Sequence, residues 1–459
     1  MKSLFISAGM VAAGAAGLQS AYAADLDLVS PRAWNVAATL RGFYDDNYNI
    51  VSSKKGSFGA EFSPSVSLNV PLRQTDIGLK YVYGLYYYED RDSLGLNPFD
   101  QTHQVDVWLD HSFNERWKVN ITDTFVVGQE PELIGSAPSA QVFRIAGDNI
   151  ANHATINLNT DWTRQFSTAL HYGNNFFDYS NSGTTLGGPN APVTSFGWPV
   201  NTPGGFVPNG LSGPASYAGL LNRVEQSVGL DLQWHFQPET MGFVGYNFSW
   251  VNYTGNEPIG VFSYLDTTPS ARSLVYYSDS RDSMTHYAYA GVKHSFTANL
   301  SGSVRGGVSY TDSYNDPLQK STSLSPYADL SLSYTYLPGS YMQLGFTHDI
   351  NATDVATVNQ NTGSLTQYQE SSVVYASINH HFNPKLMGTL IGRCQYSTYK
   401  GGNNDSASDT SYGVGVNLHY QFTTHFSTDL GYNFDDLTSS IAGRDYVRNR
   451  VYVGLGANY

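Results

Sequence analysis

The chain has one cysteine, Cys394, among its 459 residues. A single thiol cannot form a disulfide within the chain, so a scaffold held by internal disulfides is excluded. No stretch reaches the ~18 consecutive apolar residues that indicate a membrane-spanning helix. Basic residues are also scarce, since 24 Lys and Arg stand against 38 Asp and Glu. The resulting formal net charge of −14 argues against a nucleic-acid partner.

The first residues have the composition of an export signal. Lys2 supplies a positive start, residues 4–16 are apolar and small, and Ala21-Tyr22-Ala23 fits a cleavage site with small flanking residues. The apolar run is shorter than the ~20 residues that cross a bilayer. We therefore predict that residues 1–23 are a cleaved N-terminal signal peptide and that residues 24–459 form a single exported domain.

From residue 35 onward, apolar and polar residues alternate in eighteen runs with the period of two that a β-strand shows. The connections alternate as well: every second one is a tight turn, and the others are longer and polar. The longest are about 179–220 and 254–283. Short periplasmic turns and long outer loops are typical of transmembrane barrels. The sequence thus predicts an all-β fold, a single up-and-down antiparallel transmembrane β-barrel of about 18 strands (16–18).

The alternation also assigns side chains to two faces, one toward lipid and one toward the lumen. Ile77 and Leu79 share an apolar face, for example, whereas Asp76 and Lys80 share the other. Applied to all strands, this pattern predicts a pore lining in which cations and anions are nearly balanced. The predicted pore-lining residues are Arg41, Glu61, Asp76, Lys80, Asp106, Asp110, Arg223, Glu225, Asp231, Lys293, Arg305, Asp329, Arg393, Asp429, Asp435, Arg448 and Arg450.

One plan repeats at the short turns: an aromatic residue ends a strand, a polar turn follows, and the next strand begins. It is visible in His111-Ser-Phe-Asn-Glu, Trp234-His-Phe-Gln-Pro-Glu, His294-Ser-Phe-Thr-Ala-Asn-Leu, His380-His-Phe-Asn-Pro-Lys-Leu and Tyr420-Gln-Phe-Thr-Thr-His-Phe. Aromatic residues at such positions are expected to form a girdle at the periplasmic membrane interface.

With these features the chain resembles the β-barrel porins of the outer-membrane β-barrel superfamily, particularly a group sometimes found with exopolysaccharide export systems. The resemblance is best over residues 220–459. It implies a place in the bacterial outer membrane. It also implies that the apolar strand ending on the aromatic Tyr459 is the signal that the barrel-assembly machinery reads.

A barrel of ~16–18 strands leaves an aqueous channel, so we expect passive diffusion of small hydrophilic solutes. The alternatives are a polysaccharide-export channel, a non-conducting structural or adhesive surface protein, and an outer-membrane hydrolase. The expected partners are outer-membrane lipid, the barrel-assembly machinery and small hydrophilic solutes, with an extracellular polysaccharide left open and no nucleic acid. No catalytic, metal or cofactor site is expected.

Two features of the outer loops allow alternative interpretations. The uncharged loop 179–220 carries aromatic residues and could fold into the lumen or remain an outer loop. Acidic loop residues could hold Ca²⁺, which prefers clustered oxygen ligands, although their spacing is irregular. These acidic residues are Asp266, Asp279, Asp282, Asp405 and Asp409.

Overall fold

The computed structural model describes residues 33–128, 148–180, 215–265, 271–318 and 320–459. Within these residues the chain forms twenty β-strands, two short α-helices and one 3-10 helix. The strands are β1 (Trp34–Asp45), β2 (Ser57–Pro71), β3 (Thr75–Tyr88), β4 (Phe99–Ser112), β5 (Trp117–Gly128), β6 (Asn149–Asp161), β7 (Phe166–Tyr179), β8 (Arg223–Gln237), β9 (Thr240–Tyr253), β10 (Pro258–Leu265), β11 (Ala271–Tyr277), β12 (Ser283–Ser295), β13 (Leu300–Ser313), β14 (Ser321–Leu337), β15 (Ser340–Asn351), β16 (Tyr368–Asn383), β17 (Leu386–Lys400), β18 (Ser408–Gln421), β19 (Phe426–Ser439) and β20 (Tyr446–Asn458). The helices are α1 (Glu89–Ser93), α2 (Tyr217–Leu221) and the 3-10 helix Ser278–Arg281. In the described part of the chain, none of them is long and apolar enough to span a membrane.

Eighteen of these strands form one antiparallel sheet that closes on itself. Neighbours in the chain are neighbours in the sheet, except that β9 pairs with β12, and β20 returns to pair with β1. In the closing seam, Ala37 lies opposite Asn458 and Asp45 opposite Arg450. Closure gives every strand of this sheet a partner on both sides, which a sheet in hydrocarbon requires. The predicted antiparallel barrel of about 18 strands is confirmed.

The two faces of the sheet differ in chemistry because successive side chains of a strand point to opposite sides. In β1, Val36, Leu40 and Tyr44 are exposed, whereas Phe43 and Asp45 are buried. The same alternation runs round the barrel, so that one face carries exposed aliphatic and aromatic side chains in every strand of the sheet. Such a face suits contact with lipid and leaves the polar face for the lumen.

The short turns owe their shape to one repeated hydrogen-bond pattern. In five of the turns described, a side-chain oxygen accepts from the backbone N–H groups two and three residues later, and this stabilises a tight reversal. The residue is Asn114, Thr163, Thr297, Asn383 or Thr423. This geometry explains why four of the five repeated segments in the sequence place Asn or Thr just after the aromatic residue; the fifth has Gln237 there.

The predicted aromatic girdle follows this rim. Side chains flanking the turns are exposed, including Phe113, Phe236 and Phe296. The rings of Trp117 and Trp162 meet edge-on, with their centroids 5.6 Å apart. Their position beside the turns, on the apolar face, is the place at which aromatic residues meet a membrane interface.

Glycine in the wall makes room for large rings that lie flat against the sheet. A Cβ added to Gly431 would come 2.0 Å from the ring of Tyr452, and one added to Gly345 would come 2.2 Å from the ring of Tyr375. Both rings belong to strands next to the glycine. Glycine inside a strand often marks such a close approach.

The outer loops contain more structure than the sequence predicted. In loop 254–283, β10 and β11 form a two-stranded hairpin separate from the barrel, and the 3-10 helix follows it. The sequence pattern missed this hairpin because its strands are short and its connection is not a two-residue turn. In loop 179–220, Tyr179 belongs to β7 and α2 lies near the end, while residues 181–214 lie outside the described part of the chain.

Candidate functional site: the lumen and its outer mouth

The polar face of the barrel contains all seventeen predicted pore-lining residues. Each occupies a position that alternates with the exposed apolar residues of its own strand. Cross-strand register puts several opposite one another on this face: Arg41 opposite Glu61, Lys80 opposite Asp106, and Arg305 opposite Asp329. Their role in lining a conducting pore stays a prediction.

Near the seam, the charges of this face form a connected network. The Arg41 guanidinium lies 3.2 Å from Glu61 Oε1 and 4.0 Å from Asp429 Oδ2. Asp429 Oδ1 is in turn 2.8 Å from Nδ1 of His419. Arg41 also stacks over the ring of Tyr452, 5.3 Å from its centroid. The cation on β1 is therefore shared among neighbours on both sides of the seam.

Asp45 at the end of β1 forms a second charged cluster beside the seam, and the sequence prediction did not include this residue. Arg448 lies opposite Asp435 in the sheet. However, Nε of Arg448 donates to Asp45 Oδ2 at 2.8 Å, and Nε of Arg450 donates to the same oxygen at 2.9 Å. Asp45 is fully buried. One carboxylate thus holds both arginines of the last strand and ties β20 to β1.

On the wall formed by β7, β8, β9, β12 and β13, aromatic side chains hold the charged groups in place. The Tyr289 hydroxyl donates to Asp231 Oδ1 at 2.7 Å, and His171 Nε2 lies 3.5 Å from the other oxygen of Asp231. The Arg305 guanidinium stacks over Tyr289, 4.7 Å from the ring centroid, and over Phe243 at 5.3 Å. Stacking of this kind fixes the orientation of an arginine without neutralising it.

The remaining charges are distributed along the wall. Asp106 accepts hydrogen bonds from Gln104 and Thr124, and Asp110 accepts one from Asn120. Others pair within one strand: Nε of Arg223 lies 2.6 Å from Glu225, and Arg393 donates to Gln395 at 2.7 Å. Most of these groups have polar neighbours on the wall itself, so that the face is polar without being dominated by one sign.

At the outer mouth, residues 352–367 between β15 and β16 form a segment that we call the strap. Nη2 of Arg444, from the loop before β20, lies 3.0 and 3.1 Å from the two oxygens of Asp354 on the strap. The same arginine contacts Asp409 Oδ2 at 3.1 Å and the Tyr399 hydroxyl at 3.2 Å. Burial opposes the charge of Arg444, but Asp354 and its other neighbours outweigh this effect and raise the pKa of the guanidinium.

Arg281 holds the strap from another direction. Its Nη1 donates to the carbonyl oxygen of Thr353 at 3.0 Å, and its Nη2 donates to the carbonyl oxygen of Leu220. The guanidinium lies over the ring of Tyr253, 4.3 Å from the centroid. Burial lowers the pKa of Arg281. This arginine therefore links the strap to α2 and to the wall through carbonyl groups and a ring.

An apolar core joins the strap to two other outer loops. Buried side chains of α2, of the β10–β11 hairpin and of the strap pack together; they are Ala215, Tyr217, Leu220, Leu221, Ile259, Tyr276, Ala356, Val358 and Leu365. The Tyr276 hydroxyl also donates to the carbonyl oxygen of Gly363. We call this assembly of α2, the hairpin and the strap the cap. A covered apolar core distinguishes it from a set of independent solvated loops.

The cap changes the interpretation of the loops. The sequence left open whether loop 179–220 folds into the lumen, and residues 181–214 of it lie outside the described residues; in the described part of the chain the strap makes contacts across the mouth. The available signal was the apolar spacing of Val355, Ala356 and Val358 within an otherwise polar loop. Of the calcium candidates, Asp282 and Asp409 already accept hydrogen bonds from protein groups, and Asp266 lies outside the described residues.

A closed barrel with an apolar outer face, an aromatic rim and a polar inner face defines a porin-type membrane barrel. The family model described as "Putative beta-barrel porin 2" matches residues 222–459, just over half of the chain, so the chain belongs to this family. The protein is accordingly a porin-like β-barrel of the bacterial outer membrane. Among curated proteins, no sequence matches the chain.

Several solved porin structures are similar to this chain at low identity. OccK11 (OpdR) of Pseudomonas aeruginosa is 13% identical, with 93% of this chain and 96% of that chain covered and a TM-score of 0.41. OccAB4 of Acinetobacter baumannii is 12% identical, with 94% and 100% covered and a TM-score of 0.38. OccK2 (OpdF) of Pseudomonas aeruginosa, solved in complex with glucuronate, is 10% identical, with 93% and 98% covered and a TM-score of 0.41.

Proposed function

We propose that the barrel is a channel for the passive diffusion of small hydrophilic solutes, and not an enzyme. The observation that carries this proposal is the polar inner face of a closed eighteen-stranded sheet. A barrel of ~16–18 strands is wide enough to leave an aqueous path. Membership of a porin family supports the same conclusion.

The charges of the predicted lining support weak ion selectivity. Cations and anions alternate along the wall, and arginines near the seam lie in contact with carboxylates. The net negative charge therefore resides mainly in the loops, where it acts over a Debye length of about 8–10 Å. We expect a weak to modest preference for cations, set at the outer mouth.

Ion pairing on the wall also bears on polysaccharide export. A channel for a polyanion needs cations that are available to the polymer. Arg41, Arg448 and Arg450 each lie within 4.0 Å of a carboxylate on the wall. This arrangement favours small solutes over an extracellular polyanion as the substrate.

Reconstitution into planar bilayers tests the proposal. Single-channel recordings of the purified barrel should show conductance, and a salt gradient should give a small reversal potential with the sign of cation preference. A folded barrel that never conducts would contradict the channel, and strong anion selectivity would contradict the assignment of charge to the mouth.

Export and assembly belong to the same proposal. We propose that residues 1–23, which lie outside the described part of the chain, are removed on export. N-terminal sequencing of the protein purified from outer membranes should then begin at Ala24. Sequencing that begins at Met1 would contradict the cleavage.

A further inference from the structure

Two adjacent residues of the strap are held from nearly opposite sides of the barrel. Thr353 is bound by Arg281, which lies just before β12, and Asp354 is bound by Arg444, which lies just before β20. Around the eighteen-stranded sheet, β12 is the tenth strand and β20 the last. Eight strand positions therefore separate the two attachments, so the described loops meet over the mouth instead of standing around it.

The two attachments differ in kind. On the Arg281 side the strap is held by hydrogen bonds to carbonyl oxygens and by the apolar core of the cap. On the Arg444 side the Asp354 carboxylate binds this arginine, and Thr357 and Thr366 form hydrogen bonds with Asn403 N–H and the Gly401 carbonyl oxygen in the loop between β17 and β18. Packing over many residues resists opening, whereas one ion pair and two hydrogen bonds form a weaker attachment in which the ion pair is the charged contact.

A polar cleft lies beneath the Asp354–Arg444 contact. Strap and loop residues form its upper side, and the inner face of β16 to β19 forms the other side, with Gln369, Gln395, Ser397 and Ser411 along it. These residues are buried and occupy lumen-face positions of β16, β17 and β18. A solute that passed between the cap and the wall would meet hydrogen-bonding groups here instead of an apolar surface.

We propose that this cleft is the entrance of the permeation path and that the Asp354–Arg444 ion pair is the latch that closes it. The proposal rests on the proposed channel function. With the latch closed, the strap lies against the wall of β16 to β19. With the latch released, the cap keeps its apolar core and its Arg281 contacts, and the Asp354 side chain turns away from Arg444, which widens the cleft toward the outside.

Release of the latch leaves no buried charge without a partner. Arg444 keeps its contacts with Asp409 and Tyr399, which belong to the ends of β18 and β17. The Asp354 carboxylate, in turn, moves into water at the mouth. Because neither partner is stranded in a low-dielectric site, the open state avoids the main cost of breaking a buried pair. The two arrangements can therefore differ little in free energy, as a gate requires.

The substitution Asp354→Asn tests the latch in single-channel recordings of the full-length barrel. It removes one charge and leaves the side chain's size and the second partner of Arg444 in place. The ratio of open to closed dwell time should rise about ten-fold or more, because the substitution destabilises only the closed state. The matched control is Lys54→Gln, which removes an exposed ion pair with Asp46 elsewhere at the mouth and should leave this ratio unchanged.

Arg444→Lys is the second variant, for the case in which Asp354→Asn does not fold. A lysine keeps the cation but cannot reach both carboxylates as a planar guanidinium does, so an intermediate rise in the ratio is expected. Heat-modifiable mobility on gels reports whether each variant is folded.

The outcomes separate the latch from the channel. A rise in the ratio of open to closed dwell time for Asp354→Asn, with no rise for Lys54→Gln, supports the latch. A wild type that does not conduct, together with an Asp354→Asn variant that does, supports it as well. Folded variants that conduct like the wild type would overturn the latch and leave the channel function intact. Wild type and variants that are all folded and silent would overturn the channel function and the latch with it.

Discussion

The wall of the barrel and the cap over its mouth are stabilised in different ways. In the wall, the backbone ladder supplies the bonds, and each strand needs only an alternation of apolar and polar side chains. In the cap, specific side chains bridge distant parts of the chain: Arg281 binds carbonyl oxygens of Leu220 and Thr353. Stability in the wall is thus distributed along the ladder, whereas the cap combines an apolar core with a few side-chain contacts between loops.

This difference predicts where single substitutions have large effects. A wall residue matters when it closes the sheet, directs its assembly or leaves space for a neighbour. A cap residue matters when its charge or hydrogen bond joins two loops. The following changes examine both regions, and each is compared with a variant that lacks the proposed contact or titrating group.

The largest effect is expected at the end of the last strand. The Tyr459 backbone N–H donates to Val36 at 2.8 Å, and its ring lies 5.8 Å from Trp34. We propose that its main role is to mark the strand for the assembly machinery. Deletion of Tyr459 should therefore abolish most of the folded barrel in outer membranes, measured by heat-modifiable gel mobility. Phe236→Ala, which removes another exposed girdle ring, should leave the yield near normal; equal losses would contradict the role.

The next largest effect is expected at the seam. Asp45→Asn leaves Arg448 and Arg450 without the carboxylate that holds both of them, and breaking a buried pair in this way costs about 3–5 kcal/mol. Urea unfolding in liposomes, followed by tryptophan fluorescence, measures the change in the free energy of unfolding. Lys54→Gln removes an exposed ion pair near the same seam and should cost ~0–1 kcal/mol. Similar changes in the free energy of unfolding for the two variants would show that the Asp45 carboxylate does not stabilise the seam.

A smaller effect is expected where a glycine makes room for a ring. Gly431→Ala places a Cβ 2.0 Å from the ring of Tyr452, and overpacking of this kind costs about 1–3 kcal/mol. Gly306→Ala adds a Cβ with no heavy atom within 4 Å and should be nearly neutral. The same unfolding assay compares them. If Gly431→Ala left the free energy of unfolding unchanged, the Tyr452 ring would have to move aside without cost.

The smallest effect concerns the pH dependence of the cap. Burial, together with nearby Asp279, raises the pKa of Asp282 to about 6, although Asp282 accepts a hydrogen bond from the Tyr253 N–H at 2.7 Å. A raised pKa contributes stability that is complete below about pH 4 and is lost as pH rises through about 6. Between pH 5 and pH 7 the cap should lose about 1 kcal/mol.

Hydrogen exchange of residues 276–282, corrected for intrinsic rates, measures this loss. Asp282→Asn cannot titrate and should make protection independent of pH over the same interval. Protection that increases with pH in the wild type would contradict the assigned direction. A pH dependence that survives in Asp282→Asn would place its origin at another group.

The contrast between wall and cap also separates what the sequence predicted from what it missed. Asp435 lies opposite Arg448 in the sheet, and this register can be obtained by counting residues back from the last turn. The hydrogen bond from Arg448 to Asp45 does not follow from such counting, because it joins residues 403 positions apart. Likewise, Asp354 and Arg444 are 90 positions apart and lie in loops without periodicity.

The sequence by itself determined the barrel. Period-two alternation, Asn and Thr at the turns, and regularly spaced connections act over a few residues, so they can be recognised without knowing the rest of the fold. Only the tertiary structure decided how the mouth is organised. Its contacts come from side chains that become neighbours only after the sheet has closed. The chain contains many carboxylates that could pair with the Arg444 guanidinium, and it is the fold that brings Asp354 and Asp409 within reach of it.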